Sequence, residues 1–255
     1  MRQVTERLAV VNQKGGVGKS TTAVNLGACL AEAGKRVLLV DIDPQGNATS
    51  GAGIEKSQLN GCMYDVLIEG RPMDEVILPT AVPGLDAAPA ALELAGAEIE
   101  LVSAMAREYR LRDSLDGLQA SYDYILIDAP PSLGLLTINA LSAATAALVP
   151  IQCEYYALEG VSQLVSTVSL VKEHLNPELE LAGVLMTMYD ARTNLSQQVV
   201  EEVRRFFGDK VFKTIIPRNV RLSEAPSHGQ PIILYDPHCR GAQAYRELAR
   251  EVMRA

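Results

Sequence analysis

Short apolar runs alternate along this 255-residue chain with longer stretches in which Ala, Leu and Val recur at helical spacing. Runs at 7–12, 36–41, 84–88, 123–128, 146–152, 181–188, 211–216 and 230–235 are strand-like in length and largely apolar. Helical spacing marks 21–33, 132–145, 157–175, 195–207 and 240–254. This order predicts an α/β fold: a doubly wound, mostly parallel sheet flanked by helices on both faces, with ligands at the C-terminal ends of the strands. No linker, repeat or low-complexity tract interrupts it, so 1–255 reads as one domain. The stretch 46–61, rich in Gly, Ser and Asn, reads as a mobile excursion near that ligand end.

Between the first apolar run and the first helix lies Gln13-Lys14-Gly15-Gly16-Val17-Gly18-Lys19-Ser20. Its end fits the P-loop pattern, in which backbone N–H groups wrap phosphates, the lysine neutralises them and the hydroxyl binds Mg²⁺. The pattern's first glycine is replaced by Gln13, and Lys14 adds a second cation. Residues 14–21, ending in Thr21 at the helix N-terminus, thus form an expected nucleotide cradle.

Three further strand ends carry candidate chemistry. Asp41 and Asp43 follow the run 36–41, one residue apart. Alternation sends both to one side if the strand continues that far, where one acid could support a metal shell and the other orient an attacking water. Standing alone, the pair would more readily be read as acids in a solvated turn before Pro44. Asp128, at the end of 123–128 and before Pro130 and Pro131, resembles a Walker-B carboxylate that holds Mg²⁺ with Ser20. Pro217 and the Asn219 amide, at the end of 211–216, could frame a purine base.

Lys14 to Ser20, Asp41-Ile-Asp43-Pro-Gln-Gly-Asn47, Asp128-Ala-Pro-Pro-Ser132, the motif from Thr187 to Leu195 and the motif from Pro217 to Gly229 together resemble the ParA/Soj chromosome-partitioning ATPases, within the deviant Walker A class of P-loop NTPases. The resemblance runs from about residue 7 to the end of the chain. It implies an ATP-driven switch using ATP/ADP and Mg²⁺. Two subunits would sandwich two ATP molecules as a homodimer, with Lys14 reaching the partner's nucleotide. Lys19 would serve its own subunit's ATP, Ser20 its Mg²⁺, and Asp43 the attacking water. The family's ATP dimer binds double-stranded DNA without sequence preference, and a ParB/Spo0J-type partner stimulates hydrolysis and releases it. Arg192 and Arg221 match positions where the family places DNA-contacting arginines, and Arg218 neighbours Arg221. Without a long N-terminal DNA-binding domain, the chain reads as the short, Soj-like form.

Composition tempers the DNA reading, because 23 basic and 31 acidic residues give a net charge of −8. The charge is uneven, however. Residues 192–255 hold 11 Lys/Arg against 7 Asp/Glu, so a local basic face can coexist with an acidic body. Arg246, Arg250 and Arg254 would share one face of the last helix, with Tyr245, Leu248, Val252 and Met253 on its apolar side. A membrane-cycling regulator of the MinD type would lay such a helix on acidic lipid. Glu247, Glu251 and the few bulky residues favour docking on the body instead. Nothing at Met1 to Glu6 resembles a signal peptide, so the chain is expected in the cytoplasm, associated with the nucleoid when ATP-bound. Cys29, Cys62, Cys153 and Cys239 show no metal-ligand spacing, and 128–145 lacks the cysteines that an iron–sulfur ATPase would present.

Overall fold

The computed structural model describes residues 5–155, 157 and 161–254. Eight strands form one sheet: β1 (Glu6–Val10), β2 (Val37–Asp41), β3 (Leu78–Pro79), β4 (Leu85–Ala88), β5 (Tyr124–Asp128), β6 (Ala146–Gln152), β7 (Glu180–Tyr189) and β8 (Val211–Pro217). Their spatial order is β3-β4-β2-β5-β1-β6-β7-β8, parallel throughout except for the short β3, which pairs antiparallel with β4. Sequence order and spatial order cross at β1, beside β5 and β6, and the glycine loop leaves the sheet there.

Among the described residues ten α-helices complete the fold: α1 (Lys19–Glu32), α2 (Asn47–Gly51), α3 (Leu94–Glu100), α4 (Arg110–Asp116), α5 (Leu135–Ala143), α6 (Val161–His174), α7 (Asn194–Phe207), α8 (Val220–Glu224), α9 (Ile232–Tyr235) and α10 (Arg240–Val252). The strands read as unbroken apolar runs because both faces are covered. Leu38 and Val40 pack into one core with Leu136, Leu164 and Val203 from α5, α6 and α7. Their neighbours Val37 and Leu39 face the other core, with Leu26, Leu30 and Leu248 from α1 and α10.

Two expectations change, and one strand is added. The run 230–235 is not a strand but the helix α9, whose Ile232 N–H donates to the buried Asn25 Oδ1 of α1 at 2.6 Å. The first half of the excursion 46–61 is packed, with Ala48, Thr49 and Ala52 buried and α2 held against the sheet end, whereas Glu55, Lys56, Ser57, Gln58 and Asn60 are exposed. Strand β3, two residues long, left no signature in the sequence. The helix expected at 157–175 is observed as α6, and residues 158–160 lie outside the described region. As expected, α10 is docked: Tyr245, Leu248 and Ala249 are buried and Arg246 pairs with Glu32 of α1 at 2.6 Å. Among the described residues no helix is long and apolar enough to cross a membrane.

Candidate nucleotide site at the carboxyl ends of the strands

The loop 13–18 turns from β1 into α1 through Gly16 and Gly18, both at positive φ (75° and 91°), a region that side chains other than glycine's rarely occupy. Gly18 serves as N-cap of α1, and its carbonyl accepts the Thr22 N–H at 2.8 Å. Around Gly15 and Gly16 nothing lies within 4 Å of where a Cβ would stand. The loop therefore leaves a bare concavity at a helix N-terminus, the geometry that anions occupy. Thr187, at the end of β7, clamps the loop from behind by donating its hydroxyl to the Val17 carbonyl at 2.8 Å.

Strand register sets the acids beside this concavity. Asp41 and Asp128 are direct partners on β2 and β5, and Asp128 also stands level with Val10 of β1. Their surroundings differ. Asp41 Oδ2 accepts both the Thr49 N–H and the Thr49 hydroxyl at 2.7 Å, and Oδ1 accepts the Asp43 N–H at 3.1 Å. The Thr49 hydroxyl accepts in turn from the Ala90 N–H at 2.9 Å, which ties α2 to the end of β4. Burial pushes Asp41 up to about 6 against those hydrogen bonds, with the Asp43 charge adding to the rise. Asp43 lies past the end of β2, with Oδ1 accepting the Gln45 N–H at 3.0 Å.

Asp128 is fully buried, and neither carboxylate oxygen closes a hydrogen bond with any partner. Its pKa is driven well above the usual carboxylate range by burial first and the Asp41 charge second, while the nearby Ser20 hydroxyl and the Lys19 charge oppose the shift. Lys19 is also buried and donates to the Lys14 carbonyl at 3.3 Å. Burial lowers its pKa, and the charges of Asp128 and Asp43 work against that. A desolvated carboxylate whose one nearby donor is a serine hydroxyl, next to an open phosphate cradle, is a fit for a hard divalent cation. The three protein donors on Asp41 leave it less free to coordinate.

A cavity of about 390 Å³ opens over the loop, bounded by Gly15, Gly16, Lys19, Ser20, Asp43 and Pro131 among others. A second, of about 450 Å³, adjoins it across Gly18, Thr21, Met188 and Pro226 and extends to Pro217 and Asn219. The expected base-framing pair thus lies one step along from the expected phosphate cradle. Asn219 caps α8, its Oδ1 accepting the Arg221 N–H at 2.8 Å, so the group it can offer a ligand is the donor Nδ2. Met188 lines both cavities at φ +53°, an uncommon conformation for a non-glycine residue.

The three arginines come to this same end, on the turns after β7 and β8. Arg192 is 85% exposed yet doubly hydrogen-bonded to Asp190, at 2.9 and 2.7 Å. Arg221 donates to Glu224 at 2.9 Å and lies 3.5 Å from Asp236. Arg218 is exposed at the mouth of the second cavity, and its charge helps hold the Asp190 carboxyl below the usual range, after Arg192. Cys153 is buried with its thiol pushed up to about 12, so it presents no iron ligand at the surface.

Sequence reasoning passed over Asn12, Thr49, Glu154 and Met188. Thr49 lies two residues beyond the motif that runs from Asp41 to Asn47, and that proximity is the available signal. Glu154 and Asn12 are placed by long-range strand pairing, which no local pattern reveals.

A family model described as an AAA domain matches residues 5–181. The chain is 64% identical over 245 residues to the sporulation initiation inhibitor protein Soj of Bacillus subtilis (strain 168), covering 96% of this chain and 97% of that one. It is 57% identical over 247 residues to the chromosome partitioning protein ParA of Myxococcus xanthus (strain DK1622), covering 97% and 87%. Among solved structures, cobyrinic acid a,c-diamide synthase from Mycobacterium smegmatis with bound ADP and magnesium superposes with a TM-score of 0.87 at 40% identity, over 98% of this chain and 95% of that one.

Proposed function

The chain belongs to the Soj/ParA family of chromosome-partitioning P-loop ATPases, and from that premise we propose that it is an ATP-dependent DNA-segregation switch whose hydrolytic site is completed by a second subunit. The observation that carries the reading is the orphaned carboxylate of Asp128 beside Ser20 and the open Gly15–Gly16 cradle. The ADP and magnesium in the 40%-identical structure are consistent with the same ligands here. The partitioning role follows the 64 and 57% identities, which exceed that to the synthase.

Lys19 and the N–H groups of the loop hold the phosphates of the subunit's own ATP, and Pro217 with the Asn219 Nδ2 receives the base, donating to a ring nitrogen. Ser20 and Asp128 would hold magnesium, whose chemistry is to neutralise phosphate charge. Asp43, fixed from behind by Asp41 and Thr49, has Oδ2 available to accept from the attacking water. That water's oxygen bonds to the γ-phosphorus while the bond to the bridging oxygen breaks, giving ADP and phosphate. Lys14 places its cation on the partner's transferring phosphate, as a trans-acting finger does, so hydrolysis depends on dimerisation. The ATP dimer binds double-stranded DNA through the arginine turns, and a ParB/Spo0J-type partner triggers its release. The MinD-like alternative is disfavoured by α10, whose apolar side is spent on α1 and the sheet.

Subunit mixing tests the shared site. Lys14→Ala and Asp43→Ala are each expected to be inactive yet to bind ATP. In a mixed dimer, the Lys14→Ala subunit keeps its own Asp43 and borrows the partner's Lys14. Mixing equal amounts is expected to restore single-turnover phosphate release to about a quarter of wild type, since half the dimers are mixed and each has one complete site. A mixture as silent as its components would overturn the cross-subunit role.

A further inference from the structure

In the unpaired chain Lys14 does not reach into the phosphate cradle that its loop forms. Its ammonium is ion-paired with Glu154, on the turn that follows β6, with 39% and 38% of the two side chains exposed. The contact is built rather than incidental. Asn12 donates from Nδ2 to the Pro150 carbonyl of β6 at 2.7 Å and accepts the Lys14 N–H on Oδ1 at 3.0 Å, so one side chain ties the start of the loop to the strand that leads to Glu154. The Lys14 carbonyl is held by Lys19. On the other side, the Cys153 N–H donates to the Thr187 carbonyl at 3.0 Å and the Ala157 N–H closes a turn onto the Glu154 carbonyl at 2.9 Å. Backbones on both sides of the ion pair are therefore fixed, and the freedom left is in the two side chains.

We propose that Glu154 is the positioning residue for Lys14: its carboxylate stands in for the partner's phosphate, holds the ammonium in cis while the chain is unpaired, and yields it when a second nucleotide-bound subunit arrives. This inference rests on the cross-subunit reading of Lys14. Physically it is an exchange of one anion for another around a single cation, and a half-exposed carboxylate is the weaker partner against a multiply charged phosphate group. The exchange blocks productive use of Lys14 outside the dimer and sets a threshold for forming it. A symmetric dimer makes the exchange twice, so the threshold enters the dimerisation constant squared.

Sedimentation of the ATP-bound protein tests it in the Asp43→Ala background, where hydrolysis does not disperse the dimer. Glu154→Gln is expected to tighten dimerisation roughly 25-fold, about fivefold per subunit for one partly exposed ion pair. Glu154→Ala should give a similar gain, which guards against an effect peculiar to the amide. In a Lys14→Ala, Asp43→Ala background the same Glu154 substitutions should change nothing. Unchanged or weaker dimers would overturn the proposal. So would a gain that persists without Lys14, because that would mean the carboxylate merely repels the partner's phosphates. The mixed-dimer assay separates the two claims: active mixed dimers with no gain from Glu154→Gln refute the exchange alone, whereas silent mixed dimers refute the cross-subunit role on which it rests.

Discussion

The acids of this site are distinguished less by position than by what satisfies them. Asp41 spends its lone pairs on Thr49 and Asp43, whereas Asp128, its register partner, closes no such bonds and has only the Ser20 hydroxyl beside it. Both bind a proton more tightly in the folded chain than in the unfolded one, since burial raises Asp41 to about 6 and Asp128 well above its usual range. Groups shifted upward contribute stability at pH values below the ordinary carboxylate range, and that contribution is lost as pH rises through the folded values. The ligand-free protein is therefore expected to weaken as pH rises from the ordinary carboxylate value of 3.8 through about 6 and beyond on account of this pair. Asp128→Asn should flatten that slope, raise stability near neutrality by roughly 1–3 kcal/mol, and abolish the stabilisation by magnesium and ATP. Urea unfolding at several pH values, with and without both ligands, measures all three; a slope unchanged by the substitution would show that Asp128 is not the strained group. Lys14, Lys19, Ser20, Asp43 and Asp128 were legible in the sequence because each belongs to a contiguous motif whose chemistry fixes its spacing. Glu154 was not, because it meets Lys14 only through the pairing of β1 with β6, 140 residues apart.

At the scale of elements, the sequence revealed those whose periodicity is long or whose burial is two-sided, and misjudged short ones. The run 230–235 is apolar enough for a strand, but six residues do not separate helix from strand by period; the Asn25 side chain, capturing the Ile232 N–H, helps set the helical turn. The glycine-rich excursion was misread for a related reason. Its glycines serve close approach rather than looseness. A Cβ on Gly53 would lie 2.7 Å from the Gly229 carbonyl, and Gly53 itself sits at φ +85°. This backbone contact joins the α2 segment, which carries Thr49, to the loop after α8, which brings Pro226 and Gln230 to the nucleotide cavity. Gly53→Ala is expected to cost roughly 1–3 kcal/mol from the positive φ alone, and more where the carbonyl must move. Its ATP affinity should fall with it, since the two walls of the cavity are pushed apart. Calorimetric titration of ATP into the variant checks this, and wild-type affinity with unchanged stability would show that the walls move independently.

For the whole molecule the DNA binding proposed above meets a tension of charge, since the chain stands at −8 and DNA is a polyanion. The fold eases it by gathering Arg192, Arg218 and Arg221 on adjacent turns at one end of the sheet, within the only third of the sequence that is net basic. Yet Arg192 and Arg221 are already paired, with Asp190 and with Glu224, so DNA phosphates must displace those carboxylates rather than meet free cations. Surface pairs of this kind are worth at most ~1 kcal/mol, which two neighbouring arginines on each of two subunits can overcome together but one subunit alone cannot easily. Retention on DNA should therefore require the ATP dimer and weaken steeply with salt. Each phosphate contact contributes about 0.9 to the slope of log affinity against log salt. Replacing Arg192 by Ala removes two such contacts per dimer and should lower the slope by about two; adding Arg221→Ala should lower it by about four in all. Replacing both by Glu should abolish retention while the ATP dimer still forms, as measured by sedimentation beside a DNA-binding titration across a salt series. If the slope is unmoved by these substitutions, the DNA lies against another face, and the −8 body rather than the arginine turns becomes the feature to explain.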